Sequence, residues 1–220
     1  MTQNEDNAAL LMRALTALDP STRLQAALHA GTHPGTVAAQ VLIERCSVEP
    51  DFFVRDTLSW ALTSYDREST VDALLAELAA ESPQARSQAL HTLSKIGDQR
   101  AWTPVTGFLA DPDLQIAQVA WRAAVRLVGE DQRPWLAGQL ATQFGRGDAA
   151  VQRSLSRALA ALGDAAAPVV AVATTHPRRS VKAHALATER LLSDPDAQFE
   201  AALDEANRIL ALRGAPTPPE

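Results

Sequence analysis

DPSTRLQAALHAG (19–31), SPQARSQALHTLSKIGD (82–98) and DPDLQIAQVAWRAAVRLVG (111–129) are the stretches whose reading decides the fold. Each opens on Asp or Ser followed by Pro, runs through Ala- and Leu-rich sequence, and reaches a glycine. Proline suits the first turn of a helix, because it has no N–H to leave unpaired and its φ is already helical. An Asp or Ser just before it can accept from the orphan amides of that turn. Apolar residues then recur at helical spacing, as in Ala85, Ala89, Leu93 and Ile96, or Val54, Leu58, Ala61 and Leu62. Moving outward, start signals of the same kind stand at Glu49-Pro50, Gly147-Asp148 and His176-Pro177. Prolines 20, 50, 83 and 112 lie 30, 33 and 29 residues apart, and 112 to 177 spans 65, two periods with Asp148 between them. A period near 30 residues is one helical hairpin repeated along the chain.

The segments between these second helices supply the first helices, predicted near 36–47, 68–80, 99–110, 132–144 and 165–174, with one more at 5–18 and a closing helix near 195–212. Gly31, Gly97, Gly129 and Gly163 stand where a left-handed residue ends a helix. No segment alternates polar and apolar residues over a useful length, so no sheet is expected. The sequence therefore predicts an all-α, right-handed α-solenoid of five to six helical hairpins. One domain is expected over residues 1–212, with a flexible Pro-rich tail over 213–220 that ends GAPTPPE.

These residues resemble the HEAT and HEAT-like repeat family, whose second helix commonly opens Asp-Pro-x-x-Arg and ends in Leu-Gly. The match is close at DPSTR (19–23), partial at SPQAR (82–86) and at DPDLQ (111–115), where Gln115 takes the place of the arginine, and weak at 148–152 and 176–180. The resemblance implies stacked hairpins whose second helices together line an extended concave surface. It implies no particular ligand, because folds of this kind serve many unrelated partners.

Composition narrows the function classes. The chain of 220 residues is 46% hydrophobic and 21% charged, an ordinary globular balance. No apolar run approaches the roughly 20 residues of a membrane-crossing helix, and the start MTQNEDN is acidic and polar, so a cytoplasmic location without membrane attachment is expected. Cys46 is the sole cysteine, which leaves no intramolecular disulfide or thiolate cage and suggests a small buried apolar side chain. Phosphate-loop, dinucleotide, zinc-protease and hydrolase motifs are absent, so no familiar catalytic machinery and no cofactor are expected. His29 and His33 have metal-pair spacing, but Gly31 and Pro34 are expected to break the helix there. His184 and Glu189 lack a third ligand, so no metal site is expected.

The net charge of −6 disfavours general nucleic-acid binding. It conceals an asymmetry, since residues 86–190 hold 13 Lys and Arg against 8 Asp and Glu, while the flanks hold 7 against 18. Removing the apolar face of each second helix leaves a polar stripe that includes Asp56, Ser59, His91, Lys95, Gln118, Arg122, Arg126, Arg153, Ser156, Arg157, His184 and Thr188. Together with Trp60 and Trp121, its charged and aromatic members are the candidate binding residues of a concave groove running from acidic to basic. The expectation is a non-enzymatic scaffold that binds another protein through an acidic segment, or another anionic partner. The alternative rests on the i, i+4 pair Asp56 and Trp60 and on Trp121, which resemble the base-holding residues of HEAT-like alkylpurine DNA glycosylases. It implies nucleic-acid binding or base repair.

Overall fold

The computed structural model describes residues 3–194 and 196–213, with the side chains of all but 3–5 and 213. The predicted tail therefore lies outside the described residues apart from the backbone of Arg213. Among the described residues the secondary structure is all helix, with no strand. Among the described residues no single helix is long and apolar enough to cross a membrane.

The chain divides into two compact units, Met1–Phe108 and Leu109–Glu220. The first holds α1 (Gln3–Leu15), α2 (Pro20–Thr32), α3 (Ala39–Val48), α4 (Phe52–Leu62), α5 (Arg67–Glu77), α6 (Pro83–Ile96) and the short α7 (Trp102–Thr106), which follows a 3₁₀ turn at Gln99–Ala101. The second holds α8 (Leu114–Leu127), α9 (Arg133–Ala141), α10 (Ala149–Ala160), α11 (Ala167–Ala173), α12 (Arg179–Ser193) and α13 (Phe199–Arg213). In the first unit the second helices α2, α4 and α6 pack side by side, and α3 and α5 form the other layer. In the second unit α8, α10 and α12 do the same, α9 packs on α11, and α13 closes on α12. Each unit is thus two layers of helices around an apolar seam. Leu42, Leu58, Leu74, Leu90 and Leu93 fill the first seam, and Ile116, Leu127, Leu136, Leu140 and Leu159 the second.

The start signals work by the expected chemistry at three places. Asp19 accepts from Thr22 N–H, Ser82 from Ala85 N–H and Asp148 from Val151 N–H. At two others the cap lies further on. Asp51 rather than Glu49 caps α4, and Asp113 rather than Asp111 caps α8. Glu49 is instead buried, accepting from Arg23 at 2.8 Å through both its oxygens, from Arg45 at 2.6 Å and from Asp51 N–H at 2.9 Å.

The repeat arginine has a definite task, at the fourth residue after the cap. The guanidiniums of Arg23, Arg55 and Arg86 each donate to two carbonyls of the turn before their own helix, Ala17 and Leu18, Glu49 and Pro50, Ala80 and Glu81. Of those carbonyls, that of Glu49 also accepts from the Gln84 amide at 2.9 Å. With Asp113 as cap, the corresponding position in α8 is Ala117, not Gln115, and the corresponding carbonyls of Asp111 and Pro112 accept from Arg146 instead. The arginine missing from one hairpin is supplied by the turn that precedes the next.

Two of the four expected glycine stops hold, since Gly97 and Gly163 have φ of 69° and 61°. Gly31 does not stop α2. It lies inside the helix, where a Cβ would come within 2.4 Å of Trp60 and 2.9 Å of the Ala61 backbone, so the glycine serves helix-to-helix approach. Gly129 is extended, with φ of −76°. Because α2 continues to Thr32, His29 and His33 do come together, their rings stacked with centroids 4.3 Å apart. Cys46 is buried as expected, and burial pushes its thiol up to about 12.

Candidate functional site

The candidate residues fall into both units, and each set stands by itself. In the first unit, Asp56 on α4 receives Lys95 of α6 at 2.6 Å and His91 at 3.4 Å. The Lys95 ammonium, more than any other neighbour, holds the Asp56 carboxyl below its usual range. Trp60 follows one turn later, part exposed and resting on Gly31. The acid is therefore already engaged by a cation, and the indole is committed to packing between α2 and α4.

In the second unit, α8 and α10 run next to each other with an i, i+4 arginine pair on each, Arg122 and Arg126 on α8 and Arg153 and Arg157 on α10. Helical spacing places such pairs on one face, roughly 6 Å apart along the axis. These four and Gln118 line a groove of about 410 Å³ together with Val125, Ala150, Ser154, Ala158 and Ala161. Arg153 pairs with Glu200 of α13 at 2.7 Å. Arg122 and Arg157 have no carboxylate within ion-pair distance among the described residues. By contrast Arg23 and Arg45 meet Glu49, Arg67 meets Asp98, and Arg100 meets Asp72 and Asp98. Desolvation draws the Arg122 guanidinium below the usual arginine range, although the residue as a whole is exposed. Crowding of the charge by the groove walls therefore coexists with access for a ligand.

Two candidates are not on this surface. Trp121 is fully buried in the α8 seam, its indole N–H donating to Leu109 O at 2.8 Å. His184 is fully buried too. Its Nδ1 accepts from Gly145 N–H at 3.0 Å, its Nε2 lies 3.0 Å from both Ser156 Oγ and Gln152 O, and Phe144 and Phe199 stand edge-on to its ring. Burial pulls its pKa down to about 4, so the ring is neutral. Ser156 and Thr188 are 2.7 Å apart in the same cluster. The polar stripe misplaces these residues because polar side chains that satisfy one another across stacked helices can be interior. Ser59, bonded to Thr92 Oγ1 at 3.1 Å, is buried for the same reason.

Glu200 is the functional candidate that sequence reasoning misses. It is one of several acids on a closing helix, and its link to Arg153, 47 residues away, has no local signal. No group of three or more metal-ligating side chains occurs among the described residues.

Comparison with known proteins bears on the repeats. A family model of HEAT repeats matches residues 50–125. No curated protein matches by sequence. Among solved structures, an engineered protein is 17% identical, covering 92% of this chain and 98% of its own, with a TM-score of 0.47. Human deoxyhypusine hydroxylase in complex with glycerol is 15% identical, covering 94% and 96%, with a TM-score of 0.44. The CpcE–CpcF complex of phycocyanin lyase from Nostoc sp. is 18% identical, covering 92% and 94%, with a TM-score of 0.39. The capped, arginine-hooked hairpins therefore include a stretch, residues 50–125, that is similar to the HEAT repeats of that family model.

Proposed function

We propose that the protein is a HEAT-repeat scaffold that binds an acidic protein segment in the arginine groove of its second unit. The observation that carries this is the exposure of Arg122 and Arg157, without carboxylate partners among the described residues, in a groove shared with Arg126 and Arg153. Guanidinium groups recognise carboxylates bidentately and hold them on a rigid helical surface. Clustered guanidiniums on one face raise the local positive potential despite the protein's net charge of −6. The glycosylase-like reading has lost Trp121 to the core and has its acid paired with Lys95, so a protein partner is favoured.

Fluorescence anisotropy with a labelled poly-glutamate peptide tests this directly, with a poly-serine peptide and duplex DNA beside it. Binding of the acidic peptide that weakens with salt is expected, because the contacts are exposed charge pairs. Replacing Arg122, Arg126 and Arg157 together by Ala removes about 1–3 kcal/mol at the usual worth of exposed pairs, a loss of about 5- to 150-fold in affinity. Binding unaffected by the triple replacement, or duplex DNA held more tightly than the peptide, overturns the proposal.

A further inference from the structure

The Arg153–Glu200 pair adds to this reading and rests on it. Arg122 and Arg157 line the groove without a carboxylate partner among the described residues, but the guanidinium of Arg153 is met by the carboxylate of Glu200, in the first turn of α13. Both partners are close to half exposed, at 41% and 48% of their side-chain surface. Such a pair contributes little to stability and is readily exchanged for another carboxylate of better geometry. Its position is fixed from behind. Phe199, the preceding residue, is buried with Ala183, Ala187, Leu203 and Ala206, so the start of α13 is anchored to α12 and keeps Glu200 beside α10.

The far side of Arg153 and Arg157 differs in chemistry. There the two arginines border a second cavity, of about 770 Å³, whose walls include Asp164, Asp196 and Glu200. An acidic ligand is repelled from that cavity and attracted to the α8 side, so its footprint ends at Arg153 and Arg157.

We propose that Glu200 is an internal stand-in for a ligand carboxylate, so that the groove selects segments carrying at least three clustered acids. Two acids engage Arg122 and Arg157. A third displaces Glu200 from Arg153. Along one helix the arginines are about 6 Å apart, and neighbouring helices lie about 8–10 Å apart. An extended chain spans those distances with acids two or three residues apart. A segment with a single acid gains too little to compete with the resident glutamate, which is held at high effective concentration by its anchored helix.

The experiment is a double-mutant cycle on the intact chain, read by anisotropy with two labelled peptides, one with acids at every second position and one with a single acid. Glu200→Gln is expected to tighten the multi-acid peptide several-fold and to leave the single-acid peptide nearly unchanged, because one acid reaches Arg122 or Arg157 without displacing Glu200. In an Arg153→Ala background the gain from Glu200→Gln is expected to vanish, because the competition runs through that guanidinium. A gain that persists in that background reflects general relief of negative charge and overturns the inference, as does no change on Glu200→Gln while the triple arginine replacement still weakens binding. No binding by either wild type or Glu200→Gln at low salt removes the arginine groove itself, and this inference with it.

Discussion

Glu49 concentrates the strongest electrostatics at the scale of single residues. Burial by itself would raise its pKa, but the bonds from Arg23, Asp51 N–H and Arg45 overcome that and hold it at about 2, against an ordinary 4.5. A carboxylate whose folded pKa is depressed contributes stability above its unfolded pKa and loses it as pH falls towards the folded value. The wild type is therefore expected to lose stability between about pH 5 and 2 through this residue, and Glu49→Gln to show a shallower acid limb in urea titrations. At pH 7, Glu49→Ala is expected to cost about 3–5 kcal/mol, since it takes the carboxylate from Arg45 and leaves Arg23 only the Ala17 and Leu18 carbonyls. A loss under about 1 kcal/mol would show that water replaces the carboxylate there. Neither the burial nor the bridge was legible in the sequence. Glu49-Pro50 has the form of a helix start, and only the position of Arg23 across the hairpin turns Glu49 inward.

Elements follow local rules closely enough that nearly all of them are predicted. Second helices expected over 82–98 and 111–129 are found at Pro83–Ile96 and Leu114–Leu127, and the closing helix expected near 195–212 is Phe199–Arg213. The fourth first-helix is the exception. Expected over 99–110, it is a 3₁₀ turn followed by α7, where Pro104 removes a donor and Gly107 follows the last helical residue. Packing between elements governs the cost of truncation. Leu93 in α6 and Leu127 in α8 are at most 1% exposed, and each replacement by Ala is expected to cost about 2–5 kcal/mol through lost contacts and a cavity. Leu11 in α1 is 6% exposed on a terminal helix, which packs on a neighbour at one side, so Leu11→Ala should cost less. Thermal melts of the three variants check the ordering. A midpoint drop for Leu11→Ala equal to that for Leu93→Ala would mean that the first unit behaves as one undivided core.

For the whole molecule, the boundary between the two compact units falls at Phe108–Leu109, in the stretch that joins α7 to α8. The repeat at that boundary contributes one helix to each unit. We propose that the array nevertheless unfolds as a single domain, because a hairpin of about 30 residues buries its apolar face only by association with others. Calorimetry is expected to give one transition whose van't Hoff and calorimetric enthalpies agree. Two resolved transitions would make the units separate folding domains.

The sequence by itself determined what depends on near neighbours in the chain. Helical periodicity, proline at first turns, the caps at Asp19, Ser82 and Asp148 and the left-handed stops at Gly97 and Gly163 each rest on interactions within a few residues. So do the i, i+4 arginine pairs, whose shared face follows from helix geometry alone. The tertiary structure decided what depends on which helices become neighbours. It took Trp121 and His184 into the core, turned Glu49 into a buried bridge, brought Arg146 to carbonyls that lack their own arginine, and set Glu200 against Arg153. Whether a polar side chain faces solvent or a complementary group is a matter of distances between segments 26 to 47 residues apart, and no local pattern encodes those distances.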